Sequence, residues 1–382
     1  MKVDIIGAGI GGLTTAIALK QKGIQVRVFE QAKSFKPIGA GIVLAINAMQ
    51  VFAKLGLKEE ITENGVPLTR MKITKADLAP LLDVEFAYFE EKFGETNTAI
   101  HRGVLQQILA SKLEPSEIFH GHQLQSIRKL REGCEPKAFD LSFGQNRRFE
   151  SDLVLGADGL NSTVRNALFS ENTIRQTNQV CWRGVTEFDL PARLQTELNE
   201  AWGKGDRFGF VQIGPRKVYW YALKTFKEHV NEFSIEELPS FFADYHPVVK
   251  KIIEATPENQ IHTAEISDLE PIKTWHQDQV CLIGDAAHAT TPNMGQGACQ
   301  AIEDAHIIAD CLEKYSPEEA FAKFQALRMP KAHQVVKNSW SFGKMAHWSN
   351  PIARTFRNTM MKMAPASLNR KQSEQIFQLE QV

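Results

Sequence analysis

A glycine fingerprint set between two β-like runs constrains this chain more than any other feature. Residues 3–6 lead into Gly7-x-Gly9-x-x-Gly12, and a helix-forming stretch follows over residues 13–22 with a stop at Gly23. Glycines at that spacing permit a tight turn, close approach of backbone N–H groups to a pyrophosphate, and close packing of helix on strand. The helix N-terminus adds partial positive charge. A second strand over residues 25–29 ends at Glu30, where an acid accepts hydrogen bonds from ribose hydroxyls. The spacing therefore predicts a βαβ unit that holds a dinucleotide, with Gly11 and Gln31 in the same contact zone. A carboxylate at Glu30 disfavours a ribose 2′-phosphate, so NADP is not the expected occupant of this first site.

Two later segments extend the pattern. One is Leu155-Gly156-Ala157-Asp158-Gly159-Leu160-Asn161-Ser162-Thr163-Val164-Arg165; the other is Leu282-Ile283-Gly284-Asp285-Ala286-Ala287-His288, with Pro292, Gly295, Gly297 and Ala298 close behind. Asp285 directly follows an apolar strand and a glycine, a place that suits a carboxylate aimed into a cleft. The alternative is an N-cap for the next helix. Asp158 and Arg165 either meet a cofactor or pair with each other to brace a turn.

The remaining pattern is interleaved rather than modular. A Gly-rich loop covers residues 37–44, a helix residues 47–55, and strand-like sequence residues 69–89. A helix follows over 103–113, strands over 123–130, 138–143 and 152–155, and β-rich sequence over 176–223. Within the last, residues 208–213 and 217–223 flank Gly214-Pro215-Arg216 as a hairpin. Everything after Gly297 reads as helix. With 44 Lys and Arg against 45 Asp and Glu, a net charge of −1 points away from a nucleic-acid partner. Five scattered cysteines without a C-x-x-C pair suit a reducing cytoplasm, and no apolar run approaches the roughly 20 residues of a transmembrane helix.

Together the three segments resemble the single-component FAD-dependent aromatic hydroxylases, the group A flavoprotein monooxygenases built on the p-hydroxybenzoate hydroxylase fold. The resemblance spans nearly the whole chain, including Trp348-Ser349-Asn350-Pro351 near its end. It implies an α/β fold in which a Rossmann-like FAD-binding domain (residues 1–70, 98–175 and 275–330) is interleaved with a β-sheet substrate domain (71–97 and 176–274). Helices over 331–382 complete the chain. It further implies that Asp285 binds the ribityl chain, that Pro292, Gly295, Gly297 and Ala298 bring backbone N–H groups beside the flavin pyrimidine ring, and that Asp158 serves both FAD and the nicotinamide. Arg102 matches an arginine that contacts FAD. Val43 and Leu124 match by position only, their side chains being equally suited to core.

For the substrate, residues 180–184 and 202–208 are most similar to FAD-dependent urate hydroxylases, which set an Asn and an Arg against a planar heterocycle. Arg207 matches the arginine as the candidate catalytic residue, its alternative being a brace for the β-rich region. Cys181 stands where the Asn would be, which removes an amide donor and acceptor. Tyr219, Trp220 and Tyr221 line an aromatic pocket or belong to the core. His120-x-His122 reads as a solvated turn rather than a metal site, and His288 as a loop support. The C-terminal lysine-rich helices read as a solvated face, the alternative being docking on a membrane surface through Met360, Met361 and Met363.

The implied reaction uses NADPH or NADH and dioxygen to hydroxylate a small aromatic substrate through a flavin C(4a)-hydroperoxide, in a monomer or homodimer. Two rival readings use the same cofactor motifs: a tailoring or antibiotic-inactivating monooxygenase of polycyclic compounds, and a flavin reductase that inserts no oxygen.

Overall fold

In the computed structural model, residues 1–35, 40–130, 139–226 and 235–382 are described. The Gly-rich loop expected over 37–44 lies partly outside them, as do Cys134 and the start of the strand expected from residue 138.

A six-stranded sheet runs in the order His276–Gln277, Val280–Leu282, Val154–Gly156, Lys2–Ile6, Gln25–Glu30, Ile118–His120. Its inner pairings are parallel. Val3, Ile5, Val154, Leu155 and Cys281 are wholly buried, as strands covered on both faces require. The order places Lys2–Ile6, Val154–Gly156 and Val280–Leu282 side by side. The glycine fingerprint, the Asp158 motif and the Asp285 motif therefore leave the same edge from neighbouring strands, where open α/β sheets bind ligands.

The helix Ile10–Gln21 is apolar around most of its circumference because it packs on the sheet and against a second helix, Gly297–Lys314. It stops as expected. Gly23, at φ +72°, donates to Lys20 O and Ile24 N donates to Leu19 O, a Schellman closure.

Seven strands form the second large sheet, in the order His262–Leu269, Ile174–Glu187, Lys217–Thr225, Asp206–Gly214, Glu197–Trp202, Arg70–Lys75, Pro80–Glu85. Side-chain alternation gives it two unlike faces. Trp182, Phe208, Phe210, Trp220 and Ala222 bury one face against helix Pro247–Glu254. Register puts Arg207 opposite Leu223, Tyr221 opposite Arg183, and Cys181 opposite Leu223, all on the other face.

Two local expectations differ from the structure. Strand-like sequence over 69–89 resolves into Arg70–Lys75 and Pro80–Glu85 and then a helix, Ala87–Phe93, closed by Gly94 at φ +74°. Phe86, Phe89 and Phe93 recur at helical, not strand, spacing, and the first two are buried. A strand at Arg147–Ser151 was not expected; it pairs with Phe139–Phe143 across a turn in which Gln145 and Asn146 both take positive φ.

Candidate active site

The three motif-bearing strand ends build one wall of a cleft. A Cβ on Gly7, at φ +109°, would lie 2.4 Å from Ala157 O, and one on Gly12 would lie 2.0 Å from Gly7 O. Those two positions must be glycine for the strand ends and helix to meet. A Cβ on Gly9 would meet nothing within 4 Å, so Gly9 borders open space where a ligand can come close to backbone. Gly11 packs on Ala301, 3.0 Å from its Cβ. Glu30 ties the fingerprint turn to the second strand: Oε2 accepts from Ala8 N–H at 3.0 Å and Oε1 from Ala32 N–H at 2.8 Å. Gln31 beside it is exposed.

Asp158 and Arg165 do not pair, which removes the turn-bracing ion pair as an alternative. Asp158 Oδ1 accepts from Ser162 Oγ at 2.5 Å and Oδ2 from Val164 N–H at 3.1 Å. Burial pushes its carboxyl up, and the Ser162 hydroxyl opposes that shift. Arg165 is fully buried and donates to Ala286 O at 2.9 Å and Leu160 O at 2.5 Å, so it binds the middle motif to the last one through carbonyls.

Nor is Asp285 an N-cap. Gly284 occupies that position and Asp285 is the first residue of the short helix Asp285–His288. Its side chain is reached by solvent yet lies deep in the cleft, and desolvation pushes its carboxyl up while the charges of His288 and Arg102 pull it down. A Cβ on Gly297 would sit 3.9 Å from Asp285 Oδ1. The carboxylate thus stands beside the N-terminus of helix Gly297–Lys314, whose first N–H groups, including that of Ala298, have no intrahelical partner. Pro292–Met294 forms a 3₁₀ turn, and Gly295, at φ +62°, turns the chain into the helix.

Beneath the Asp285 turn lies a buried ionic cluster that was not legible in the sequence. Asp304 accepts from Gly284 N–H at 2.9 Å, its Oδ2 stands 2.6 Å from His288 Nε2, and its Oδ1 accepts from Arg328 Nε at 2.9 Å. Burial alone would raise this carboxyl, but His288 and Arg328 outweigh it and hold it down at about 2. Arg328 also donates to Glu303 at 2.7 Å. His288 is buried and supports the loop.

Arg102 begins helix Arg102–Ala110, exposed, with its backbone N–H donated to Ala40 O at 2.9 Å. Val43 lies in strand Gly41–Leu44, and its carbonyl is 3.8 Å from Cys299 Sγ. Leu124 is a buried side chain at the start of strand Leu124–Lys129, so only its backbone is open to a role. His120 and His122 are not a solvated turn. Both are half-buried, and the His122 ring packs among Phe29, Phe119, Phe143 and Phe149. Phe119 lies on the strand paired beside that of Phe29, and Phe149 meets the Phe29 ring edge-on, a proximity no local pattern reveals. Among the described residues no cluster of His, Cys, Asp or Glu could hold a metal.

Opposite this wall stands the polar face of the seven-stranded sheet. Tyr219 packs on Gly41, where a Cβ would lie 2.5 Å from the tyrosine's own Cβ. Arg207, 1% exposed, donates from Nη1 to Glu200 Oε1 at 3.1 Å and from Nη2 to Asn293 Oδ1. Glu200 further accepts from Trp202 Nε1 at 2.6 Å and from the Tyr221 hydroxyl. Burial first, and then the Glu200 charge, push that phenol far up, so it stays protonated. Cys181 is buried and its thiol is pushed up to about 11, which keeps it neutral near pH 7. Trp220 faces the other way, fully buried, with Nε1 donated to Thr256 Oγ1 at 2.8 Å; it is core rather than pocket. Glu200 and Asn293 escaped the sequence reading because only strand register and the loop's path bring them to Arg207.

This arrangement fits FAD: open space at Gly9, unpaired N–H groups at two helix N-termini, and at Asp285 a carboxylate with no hydrogen bond from the described residues. A family model described as FAD binding domain matches residues 1–339. The chain is 35% identical over 366 residues to the aurachin C monooxygenase/isomerase of Stigmatella aurantiaca, covering 95% of this chain and 94% of that protein. It is 33% identical over 386 residues to the 2-heptyl-3-hydroxy-4(1H)-quinolone synthase of Pseudomonas aeruginosa, covering 99% and 98%. Among solved structures, Klebsiella pneumoniae HpxO complexed with FAD and uric acid superposes with a TM-score of 0.88 at 25% identity, over 98% of this chain and 96% of that one.

Proposed function

The chain belongs to the FAD binding domain family of FAD-dependent aromatic monooxygenases, and on that premise we propose that it hydroxylates a planar heteroaromatic ring bearing an apolar substituent, of the 4-quinolone type. NADH or NADPH is the reductant and dioxygen the oxidant. The balance is one substrate C–H, one NAD(P)H, one proton and one dioxygen giving C–OH, NAD(P)⁺ and water. The observation that carries the reading is the facing of two surfaces: the motif-bearing wall, and the sheet face with Cys181, Arg207, Tyr219 and Tyr221, in contact at Gly41–Tyr219 and Asn293–Arg207.

When bound, the flavin supplies hydride acceptance and the transfer of one oxygen atom from dioxygen. The protein's residues do the rest. Gly7, Gly9 and Gly12, with the N-terminus of helix Ile10–Gln21, receive the pyrophosphate, and Glu30 receives a ribose. Asp285 accepts from ribityl hydroxyls, with Arg102 and Asp158 nearby on the same wall. The N–H groups of Gly297 and Ala298 and the dipole of the helix they begin stabilise negative charge at the pyrimidine end. Residues 1–70, 98–175 and 275–330 form the cofactor-binding part and 71–97 with 176–274 the substrate part.

Substrate class follows from Cys181 and from the relatives' names. A neutral, buried thiol offers no amide-like donor and acceptor pair to a purine and accepts apolar surface without penalty. The two relatives described above, each above 30% identical, are named for products or activities other than urate oxidation, and one product carries its hydroxyl on a quinolone ring beside a heptyl chain.

The test is substrate-stimulated NADH and NADPH oxidation by the FAD-loaded protein across 2-heptyl-4-quinolone, urate, 6-hydroxynicotinate and a polycyclic phenol. Dioxygen uptake and product mass are followed in parallel. The quinolone should stimulate most and gain one oxygen atom. Stimulation by urate alone, or reductant consumed with no oxygen in any product, overturns the proposal.

A further inference from the structure

Helix Pro351–Met363 is inside out. Ile352, Phe356, Met360 and Met363 recur at the spacing of one helical face, and they are 82%, 63%, 44% and 76% exposed. They are four of the seven large hydrophobic side chains exposed among the described residues. Side chains completing that face, Thr355 and Thr359, are uncharged. The opposite face is anchored: Met361 packs with Trp202, Ile73 and Leu81, and the buried Arg357 donates to Ala346 O at 2.7 Å and lies 4.9 Å over the Trp202 ring. That anchoring leaves the helix no freedom to roll its apolar side inward.

Charge identifies the occupant of the exposed face. Residues 320–373 contain no Asp or Glu, and of their ten Lys and Arg, Lys337, Lys344, Lys362, Arg370 and Lys371 are exposed, whereas Arg328 and Arg357 are buried and Lys331 is paired with Glu303. Lys362 stands beside the stripe, one turn beyond Thr359, and Arg370 and Lys371 are exposed on the next helix, Ala366–Phe377. A second copy of the chain meeting this face about a twofold axis would confront like charges. Anionic lipid headgroups would not. We propose that helix Pro351–Met363 is an interfacial membrane anchor that docks the folded enzyme on an anionic phospholipid surface, with the apolar stripe in the acyl boundary and the basic residues among headgroups. The inference stands apart from the substrate assignment, because no residue of the stripe lies in the cleft.

The experiment is co-sedimentation of the FAD-loaded full chain with vesicles of phosphatidylcholine alone and of equal phosphatidylcholine and phosphatidylglycerol. Wild type should sediment with the anionic vesicles at least about tenfold more strongly than with neutral ones, and less so in high salt. The triple variant Ile352→Gln, Phe356→Gln, Met363→Gln should lose about tenfold or more of that binding, with flavin absorbance and melting temperature unchanged. Lys362→Glu, which leaves the stripe whole, should weaken binding to anionic vesicles alone. No binding by wild type, equal binding by the triple variant, or indifference to Lys362→Glu overturns the proposal. So does light scattering that shows a dimer which the triple variant dissociates.

Discussion

Arg207 and Asn293 join the two walls of the cleft. The guanidinium, carried by the seven-stranded sheet, donates to the side-chain oxygen of an asparagine in the Pro292–Met294 turn. Asn293 in turn donates to Thr291 Oγ1 and to Ser339 O, both at 2.8 Å. Gly343 makes room for it: a Cβ there would fall 2.1 Å from Asn293 Nδ2. The Pro292–Met294 turn is therefore tied to the seven-stranded sheet. From this geometry we propose that Arg207 is a positioning residue, with Glu200 as its counter-charge at 3.1 Å.

Arg207→Met is accordingly expected to lower melting temperature and kcat/KM together, toward every substrate. Removing one partner of a buried pair typically costs about 3–5 kcal/mol because the other charge is left behind; Trp202 and Tyr221, which still donate to Glu200, should hold the loss near ~3 kcal/mol. A stable variant whose KM alone rises would instead place the guanidinium against substrate.

Asp285→Ala should leave the fold intact and weaken FAD binding by about one to two decades, the worth of charge-assisted hydrogen bonds to hydroxyls at about 1.5–3 kcal/mol. Flavin fluorescence titration of the deflavinated protein measures it. Unchanged affinity would leave Asp285 as a turn residue only.

Two fingerprint glycines should separate folding from binding. Gly12→Ala puts a Cβ 2.0 Å from a backbone oxygen and should lower melting temperature of the apoprotein. Gly9→Ala meets nothing within 4 Å, so the apoprotein should melt as wild type does while FAD affinity falls. Equal effects on both quantities in both variants would contradict the assignment of Gly9 to the ligand.

Asp304 predicts an acid limb in the stability profile. Its folded pKa, held at about 2 by His288 and Arg328 against the effect of burial, lies below the ordinary value of about 3.9. Its contribution, about 2–3 kcal/mol, is therefore present above pH ~4 and lost as pH falls toward ~2. Urea midpoints of wild type and Asp304→Asn between those limits should converge as the pH drops. A constant difference across the range would show that Asp304 does not titrate as its surroundings require.

Local chemistry was legible along the chain wherever one residue's neighbours in sequence are also its neighbours in space. Gly7-x-Gly9-x-x-Gly12 with Glu30 implies a strand, a turn, a helix and a second strand, because steric demands act over a few residues; helix Ile10–Gln21 and its stop at Gly23 follow. The hairpin around Gly214-Pro215-Arg216 was readable for the same reason. At Ala87–Phe93 the aromatic spacing was there to see, but buried aromatics serve strand and helix alike, and only packing against Phe377 shows which period applies.

Tertiary structure alone decided what each charged side chain does. The sequence determines that Asp158, Arg165, Asp285 and Arg207 sit at turns and strand positions able to meet a ligand. It carries no signal that Arg165 would spend its guanidinium on Ala286 O and Leu160 O, that Asp285 would remain open to the cleft, or that Arg207 would find Glu200 and Asn293. Strand order and the path of the loops choose the distant partners, bringing Ala286 to Arg165 from 121 residues away and Asn293 to Arg207 from 86, and strand register sets Glu200 beside Arg207. The strength of a hydrogen bond or ion pair depends on distance and on burial, and neither is a property of the sequence around a single residue.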